Sequence, residues 1–146
     1  MQATMIATAP AVQVTTSESF DSLADASNIL LTTFRRDGTP VPTPLWHAVK
    51  DGVVYTSTLE SAGKIKRIRN DARVTISACT LRGKPMGPTY AARARILGVD
   101  ESEQANKLKE ARYRLARPIQ FLESLIRRQR FVGIVIEPSP VVDLPG

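Results

Sequence analysis

The chain has 146 residues, one cysteine, one histidine and a formal net charge of +6 at pH 7. A single cysteine excludes an internal disulfide, and the chain lacks the roughly four soft ligands that a structural zinc site requires. No stretch approaches the roughly 20 apolar residues of a membrane-spanning helix, and the first 34 residues contain no basic residue with which a secretory signal could begin. The expected compartment is therefore the cytoplasm.

The excess of positive charge predicts an anionic partner. Nucleic acid, anionic lipid and a phosphorylated or carboxylated small molecule all fit this charge. No aromatic residue lies within the basic segment 64–69, whereas single-stranded nucleic acid is bound by aromatic and basic side chains together. Dedicated nucleic-acid binding is therefore not expected, and a small-molecule anion is favoured.

Three antiparallel strands are predicted in the first half of the chain. The segments RRDGTP and KDG separate apolar runs, and Asp-Gly between such runs is a strong hairpin signal. The expected strands span residues 28–35, 41–49 and 53–58. The second strand carries Pro42 and Pro44, which cannot donate a hydrogen bond to a ladder. This stretch is therefore an edge strand, a bulge or a surface that lies against a ligand. Trp46 has the same parity in the strand as Pro42 and Pro44.

The second half of the chain combines helices and strands. A helix is predicted from an N-cap at Ser61 to about residue 70, and its apolar face contains Ile65 and Ile68. Strands are predicted at 73–79 and 89–97, with the turn-rich segment LRGKPMGP between them. A capping box at Asp100 and Glu103 begins a second helix, Pro118 begins a third, and a strand follows at 131–137.

This order of elements predicts a mainly β (α+β) fold, a small antiparallel barrel of six strands with helices packed outside. We expect a flexible N-terminal lead-in over residues 1–26, one domain over residues 27–137 and a C-terminal tail over residues 138–146.

The segment TSTLESAGKIKRIR, residues 56–69, predicts an anion site. Ser57 and Thr58 end a strand with hydroxyl groups, and Gly63 allows backbone to approach a ligand closely. Lys64 lies in the first helical turn, where free N–H groups and the helix dipole favour an anion, and Arg67 lies beside it one turn later. A solvated basic face is the alternative interpretation.

Two further observations limit the chemistry of this segment. Thr58 and Ile65 stand where a Walker A loop requires Gly and Ser or Thr, so nucleotide hydrolysis is not expected. His47 is the one histidine, and no nucleophile motif accompanies it, so no side chain is assigned a catalytic role.

Three motifs together resemble the split-β-barrel flavin/deazaflavin oxidoreductase superfamily. They are LLTTFRRDGTPVPTPLW, SAGKIKRIRNDARV and CTLRGKPMGP. The superfamily contains pyridoxamine phosphate oxidase and its actinobacterial relatives that use coenzyme F-420. The resemblance covers residues 27–137 and is nearest to the F-420-dependent branch. It implies a homodimeric split barrel with two cofactor sites in the grooves between the barrels.

The resemblance also implies roles for individual residues. Ser57, Thr58 and Lys64 match the groups that hold the cofactor phosphate, and Arg67 matches a second polar or basic contact. The strand that lies along the flat cofactor ring is matched by Val41, Pro42, Thr43 and Pro44. Segment 82–88 would reach the cofactor tail or the substrate from the partner chain.

The implied function is hydride transfer from reduced F-420 to a small unsaturated organic acceptor. Lys66, Arg67 and Arg69 suit the phosphodiester and oligoglutamate tail of F-420 better than the single phosphate of FMN. The substrate-binding residues of the pyridoxamine phosphate oxidases have no match, so vitamin B6 oxidation is not expected. The alternatives are an FMN-dependent oxidoreductase on the same fold, or a non-enzymatic binder of F-420, FMN or a tetrapyrrole.

Overall fold

The computed structural model describes residues 13–98 and 131–145. The predicted capping box at Asp100 and Glu103 and the two helices predicted after it lie outside the described residues. Within them the elements are β1 (Val14–Thr15), a 3-10 helix (Asp21–Leu23), β2 (Asn28–Phe34), β3 (Pro40–Leu45), β4 (Ala48–Lys50), β5 (Val53–Leu59), α1 (Gly63–Asn70), β6 (Arg73–Cys79), β7 (Pro85–Ile96) and β8 (Phe131–Pro138).

The strands form one sheet with the order β3-β2-β6-β7-β8-β5-β4, and every neighbouring pair in this order is antiparallel. β1 lies outside this order and pairs with β7 in parallel. The two end strands, β3 and β4, are separated along the chain by Trp46 and His47 alone. Because two residues span only a few ångströms, the sheet must curl until its two edges approach each other. The mainly β, antiparallel, curled architecture agrees with the prediction.

The strand at 41–49 was predicted as continuous, and this prediction is wrong. It is divided into β3 and β4 at Trp46 and His47, and side chains hold the backbone at the break. The hydroxyl of Thr56 donates to the carbonyl oxygen of Trp46 at 2.6 Å, and Nε2 of His47 lies 2.8 Å from the carbonyl oxygen of Leu23. With this division and the addition of β1, the described residues form eight strands where six were predicted.

β7 begins at Pro85, four residues before the predicted start at residue 89. The turn before it is compact, because the N–H of Thr80 donates to Lys84 O at 3.0 Å and the N–H of Gly83 donates to Thr80 O at 2.9 Å. Gly83 has a φ of +86°, which glycine adopts without strain. The turn-rich segment is therefore a tight hairpin, and its last residues extend the strand.

The predicted helix is present, but its predicted N-cap is wrong. Ala62 occupies the N-cap position, and no side chain caps the helix. Gly63 is therefore the first helical residue and Lys64 the second, so Lys64 does lie in the first turn. Ile65 and Ile68 are buried in the core, as the apolar spacing predicted. The apolar face holds α1 against β2 and β7.

The core lies between α1 and the inner face of the sheet. Its fully buried side chains include Ile29, Leu31, Val54, Ile76, Ile134 and Ile136. Phe20 and Leu23 also belong to this cluster, so part of the segment predicted as a lead-in packs onto the sheet. No α-helix within residues 13–98 and 131–145 is long and apolar enough to cross a membrane.

Candidate functional site

The end of β5, the first turn of α1 and the end of β2 meet at one place and bring basic and hydroxyl side chains together. Nζ of Lys64 donates to Oγ1 of Thr58 at 3.2 Å. Nε of Arg67 donates to Oγ1 of Thr33 at 2.6 Å. Both threonines are buried, so the charged group of each basic side chain is held in place by a hydroxyl group. This arrangement places two positive charges beside the uncapped helix N-terminus.

The amine of Lys64 is half-buried, and its environment opposes its charge. Burial lowers the pKa of Lys64 below the ordinary value of 10.5, and the charge of Arg67 lowers it further. Burial likewise lowers the pKa of Arg67, and the positive charge of Arg35 adds to this effect. Two residues along a strand point to the same face, so Arg35 continues the face of Thr33. We call Lys64, Arg67 and Arg35 the cation cluster.

The cation cluster has no acidic partner among the described residues. The ion pairs in this part of the chain are those of Arg73, with Asp71 at 2.8 Å and with Asp143 at 3.1 Å. The pKa of Asp37 is lowered mainly by its hydrogen bonds with Thr39, whose N–H donates to the carboxylate at 2.9 Å, and the charge of Arg35 adds a smaller effect without an ion pair between the two described residues. Like charges held together without an acid cost free energy, and a bound anion offsets that cost.

Gly63 makes room for the guanidinium of Arg67. A Cβ at position 63 would lie 2.9 Å from Nη1 of Arg67, a distance that real Cβ atoms essentially never show. The guanidinium therefore lies over the first turn of α1, directly beside its backbone. A glycine at this position is required for the observed conformation of Arg67, which gives Gly63 a more specific role than close backbone approach alone.

The other residues predicted for the site divide between two faces of the sheet. Val41 lies directly opposite Thr33 in the β2–β3 ladder, so the two side chains share a face, and Thr43 follows on that face. Pro42 lies opposite Thr32, and Pro44 opposite Leu30 on the other face. The strand therefore brings Val41 and Thr43 to the side of the cation cluster and directs both prolines away from it.

Ser57 and Thr58 are likewise separated by strand alternation. Thr58 shares the parity of Val54 and Thr56, which are fully buried on the inner side. Ser57 shares the parity of Tyr55, which packs against Leu97 and Val135 in a separate cluster. The side chain of Ser57 thus points to the opposite face from Thr58. Lys64 contacts the hydroxyl of Thr58, and the structure does not bring that of Ser57 to the same position.

The alternation of Pro40, Pro42 and Pro44 explains why β3 ends the sheet. β3 pairs with β2 on one side, and no strand within the described residues lies on its other side. Residues of one parity direct their backbone groups to the same side of a strand. The three prolines therefore direct their missing N–H groups outward, so this edge offers carbonyl oxygens without donors. The interpretation of this stretch as an edge strand is confirmed.

Thr33 and Arg35 were not recognised from the sequence. Both lie in a correctly predicted strand and its hairpin, but nothing local indicates that β2 packs beside α1. Strand alternation could have placed Thr33 and Arg35 on one face, and only the tertiary packing shows that this face meets Arg67.

His47 does not belong to the site. It is fully buried, and Nε2 lies 2.8 Å from the carbonyl oxygen of Leu23. A nitrogen that faces a carbonyl oxygen at this distance carries the proton and donates it. His47 therefore fixes the bend between β3 and β4 against the 3-10 helix.

No family model and no curated protein matches the chain. Solved structures do match it. A protein of unknown function from Agrobacterium tumefaciens has a TM-score of 0.61 and 20% identity, over 80% of this chain and 50% of that protein, so this chain spans half its length. A putative pyridoxamine 5'-phosphate oxidase from Listeria innocua has a TM-score of 0.51 and 17% identity, over 80% and 87% of the two chains.

An F420 reductase is also similar, with a TM-score of 0.53 and 20% identity over 84% of this chain and 95% of that one. Likeness at this level of identity concerns the fold. The chain thus has the split-barrel fold of these proteins, and the resemblance inferred from the motifs is confirmed at that level.

Proposed function

We propose that the protein is an oxidoreductase that binds coenzyme F-420 through the cation cluster. The observation that carries the proposal is the pair Lys64 and Arg67, each hydrogen-bonded to a buried threonine and neither paired with an acid among the described residues. Basic side chains held in this way bind an anion without first giving up an ion pair. The flavin-type and deazaflavin-type proteins that share the fold favour a flavin-like cofactor.

The residues at the site fit a phosphate group. The first turn of α1 has no side-chain cap, so the N–H groups of Gly63 and Lys64 can donate to phosphate oxygens, whereas the N–H of Ile65 donates to Ala62 O at 3.0 Å. Lys64 provides an ammonium group and Arg67 a planar guanidinium, the two cations that proteins use for phosphate. Gly63 leaves the space beside the backbone to Arg67. Thr58 and Thr33 hold both cations in position, so little side-chain freedom remains to be lost on binding.

The number of cations favours F-420 over FMN. FMN carries one phosphate, whereas F-420 carries a phosphodiester and several carboxylates. A single phosphate would engage Lys64 and Arg67, and Arg35 adds a third cation. Two further cations, Lys66 and Arg69, are exposed on α1. An extended anion would reach these outer charges, although each exposed pair contributes little.

When bound, reduced F-420 supplies hydride to a small unsaturated organic acceptor. The chain's own part is to bind and orient. In this proposal the backbone of β3 lies along the cofactor ring through Val41, Pro42, Thr43 and Pro44, and its donor-free edge prevents a further strand from covering that surface. No side chain is proposed as a nucleophile or metal ligand. We further propose a cytoplasmic homodimer, with each cofactor site completed by the partner barrel.

The test compares Lys64→Ala with Lys66→Ala on the same helix, by calorimetric titration with F-420 and with inorganic phosphate. Both variants remove one lysine charge from α1. Lys66 is exposed, so it serves as the control for loss of charge alone. Loss of a charge-assisted hydrogen bond should weaken F-420 binding to Lys64→Ala by about 1.5–3 kcal/mol. Lys66→Ala should stay close to wild type. Equal weakening by both variants would show a diffuse basic surface in place of a site.

A further inference from the structure

A cavity of about 650 Å³ lies on the outer face of the sheet, away from the core. Strands β2, β3, β6 and β7 form its floor. β1 bounds it on one side, and Leu144 of the C-terminal tail also contributes to its wall. The volume lies within the roughly 300–1,000 Å³ of small-molecule sites in proteins.

This cavity is separate from the cation cluster. Thr32 lines the cavity, whereas the next residue, Thr33, contacts Arg67. Successive side chains of a strand point to opposite faces, so β2 lies between the two places. A ligand in the cavity would not depend on the charges of Lys64 or Arg67.

The floor of the cavity presents hydroxyl groups in directly opposed pairs. Thr32 lies opposite Thr75 in the β2–β6 ladder, and Ser77 lies opposite Thr89 in the β6–β7 ladder. All four residues line the cavity, and each hydroxyl can both donate and accept a hydrogen bond. The hydroxyls thus form a polar band across three neighbouring strands.

The rest of the lining is uncharged and, apart from Gln13, apolar. Leu30, Phe34 and four prolines surround the hydroxyl band, and no residue that lines the cavity in the described part of the chain carries a charge. This contrasts with the net charge of +6 on the whole chain. A charged ligand would lose water here without gaining a counter-charge, which costs several kcal/mol on the usual scale of desolvation.

We propose that this cavity binds one uncharged, mainly apolar small molecule that carries carbonyl or hydroxyl oxygens. The apolar walls contact its carbon skeleton, and the hydroxyl band binds its oxygens. The cavity shares Pro42 with the strand proposed to lie along the cofactor ring, and it contains part of segment 82–88. The site still goes beyond the proposed function, because it needs neither the cofactor nor the cation cluster.

Gly87 offers a way to fill the cavity without disturbing the fold. It lines the cavity, and a Cβ at this position would meet no atom within 4 Å. Its φ is not among the positive values of the described glycines, so a larger residue introduces no backbone strain. A leucine at position 87 can therefore extend into open space and occupy volume that a ligand would use.

The experiment titrates the wild-type protein, without cofactor, with the neutral fluorescent probe N-phenylnaphthylamine. Saturable binding of one probe per chain is expected, and Gly87→Leu should weaken it by at least about tenfold because the leucine occupies the same volume. Lys64→Ala, on the opposite face of β2, should bind the probe as the wild type does. Sedimentation velocity and the thermal midpoint are measured for each variant.

The oxygen-binding role of the hydroxyl band is tested by displacement of the probe. Fluorenone should displace it at lower concentration than fluorene, which has the same rings without the carbonyl, and a fluorenone carboxylate should not displace it. Any of three binding results would overturn the proposal: no probe binding to the wild type, unchanged binding to Gly87→Leu, or a carboxylate that competes as well as fluorenone. A changed sedimentation coefficient for Gly87→Leu would also overturn it, since the face would then be an interface between copies.

Discussion

Replacement of Gly63 by alanine should separate the affinity of the site from the stability of the fold. A Cβ at this position would lie 2.9 Å from Nη1 of Arg67, and the guanidinium is the flexible end of a long side chain. The guanidinium should therefore move while the backbone stays in place. Its movement takes Nε away from Oγ1 of Thr33, which it now contacts at 2.6 Å.

Two effects of opposite sign then act on the free energy of unfolding. Alanine in place of glycine stabilises a helix interior by about 0.5–1 kcal/mol, and Gly63, the first helical residue, gains at most this much. Loss of a hydrogen bond to a charged group costs about 1.5–3 kcal/mol. The net destabilisation is therefore about 0.5–3 kcal/mol, small enough to leave the protein folded. The affinity for the anion has no such compensation and should fall by at least about tenfold.

The assay combines calorimetric titration with F-420 and inorganic phosphate with urea unfolding. Arg67→Ala and the double variant Gly63→Ala/Arg67→Ala complete a cycle with the single change. If Gly63 acts through Arg67, the double variant should bind no more weakly than Arg67→Ala, because contacting residues are not additive. Additive losses of affinity, or wild-type affinity in Gly63→Ala, would refute the link between these two residues.

Three further predictions concern the charge of Lys64, the support of Arg67 and the N-terminal segment. Burial and Arg67 lower the pKa of Lys64, so phosphate binding should decline with rising pH already below 10.5. Lys64→Arg should move this decline to higher pH. Identical pH profiles for the wild type and Lys64→Arg would contradict the prediction. Thr33→Val removes the hydrogen bond to Nε of Arg67, so it should weaken F-420 binding and also cost about 1.5–3 kcal/mol in urea unfolding, and unchanged binding would contradict a positioning role. Phe20→Ala should cost about 3–5 kcal/mol in urea unfolding because Phe20 is fully buried, and a loss below about 1 kcal/mol would leave it outside the core.

Deprotonation of Lys64 also changes the free energy of unfolding in a defined direction. The pKa of Lys64 is lower in the folded protein than in the unfolded chain, so the unfolded chain binds more protons between these two values. Stability from this group therefore rises with pH across that alkaline window. Lys64→Ala should remove this rise, which urea unfolding at a series of pH values would detect.

Local patterns predicted the strands well where alternation was clear. The strand at 73–79 agrees with β6 residue for residue, because inward and outward side chains alternate around Val74 and Ile76. The predicted strand at 41–49 failed because its break depends on Thr56 and Leu23, which are distant in sequence. No pattern around Trp46 indicates those partners.

The site was predictable only in part, for the same physical reason. Lys64 and Arg67 follow from helical spacing, and the contact of Lys64 with Thr58 joins residues six apart in sequence. Thr33 is 34 residues from Arg67, so its contact arises from the packing of α1 on β2. Long-range packing is also what places Phe20 in the core, although its neighbours in sequence are polar.

The most direct test of the proposed function is an equilibrium titration of the wild-type protein with F-420 and, in parallel, with FMN at moderate salt, followed by ligand fluorescence. Saturable binding of one F-420 per chain in the micromolar range, with much weaker binding of FMN, is the predicted result. Stronger binding of FMN would indicate a flavoprotein. Lys66 and Arg69 would then be solvated surface charges without a role in cofactor binding. Failure of both ligands to bind would contradict the assignment of the cation cluster as a cofactor site.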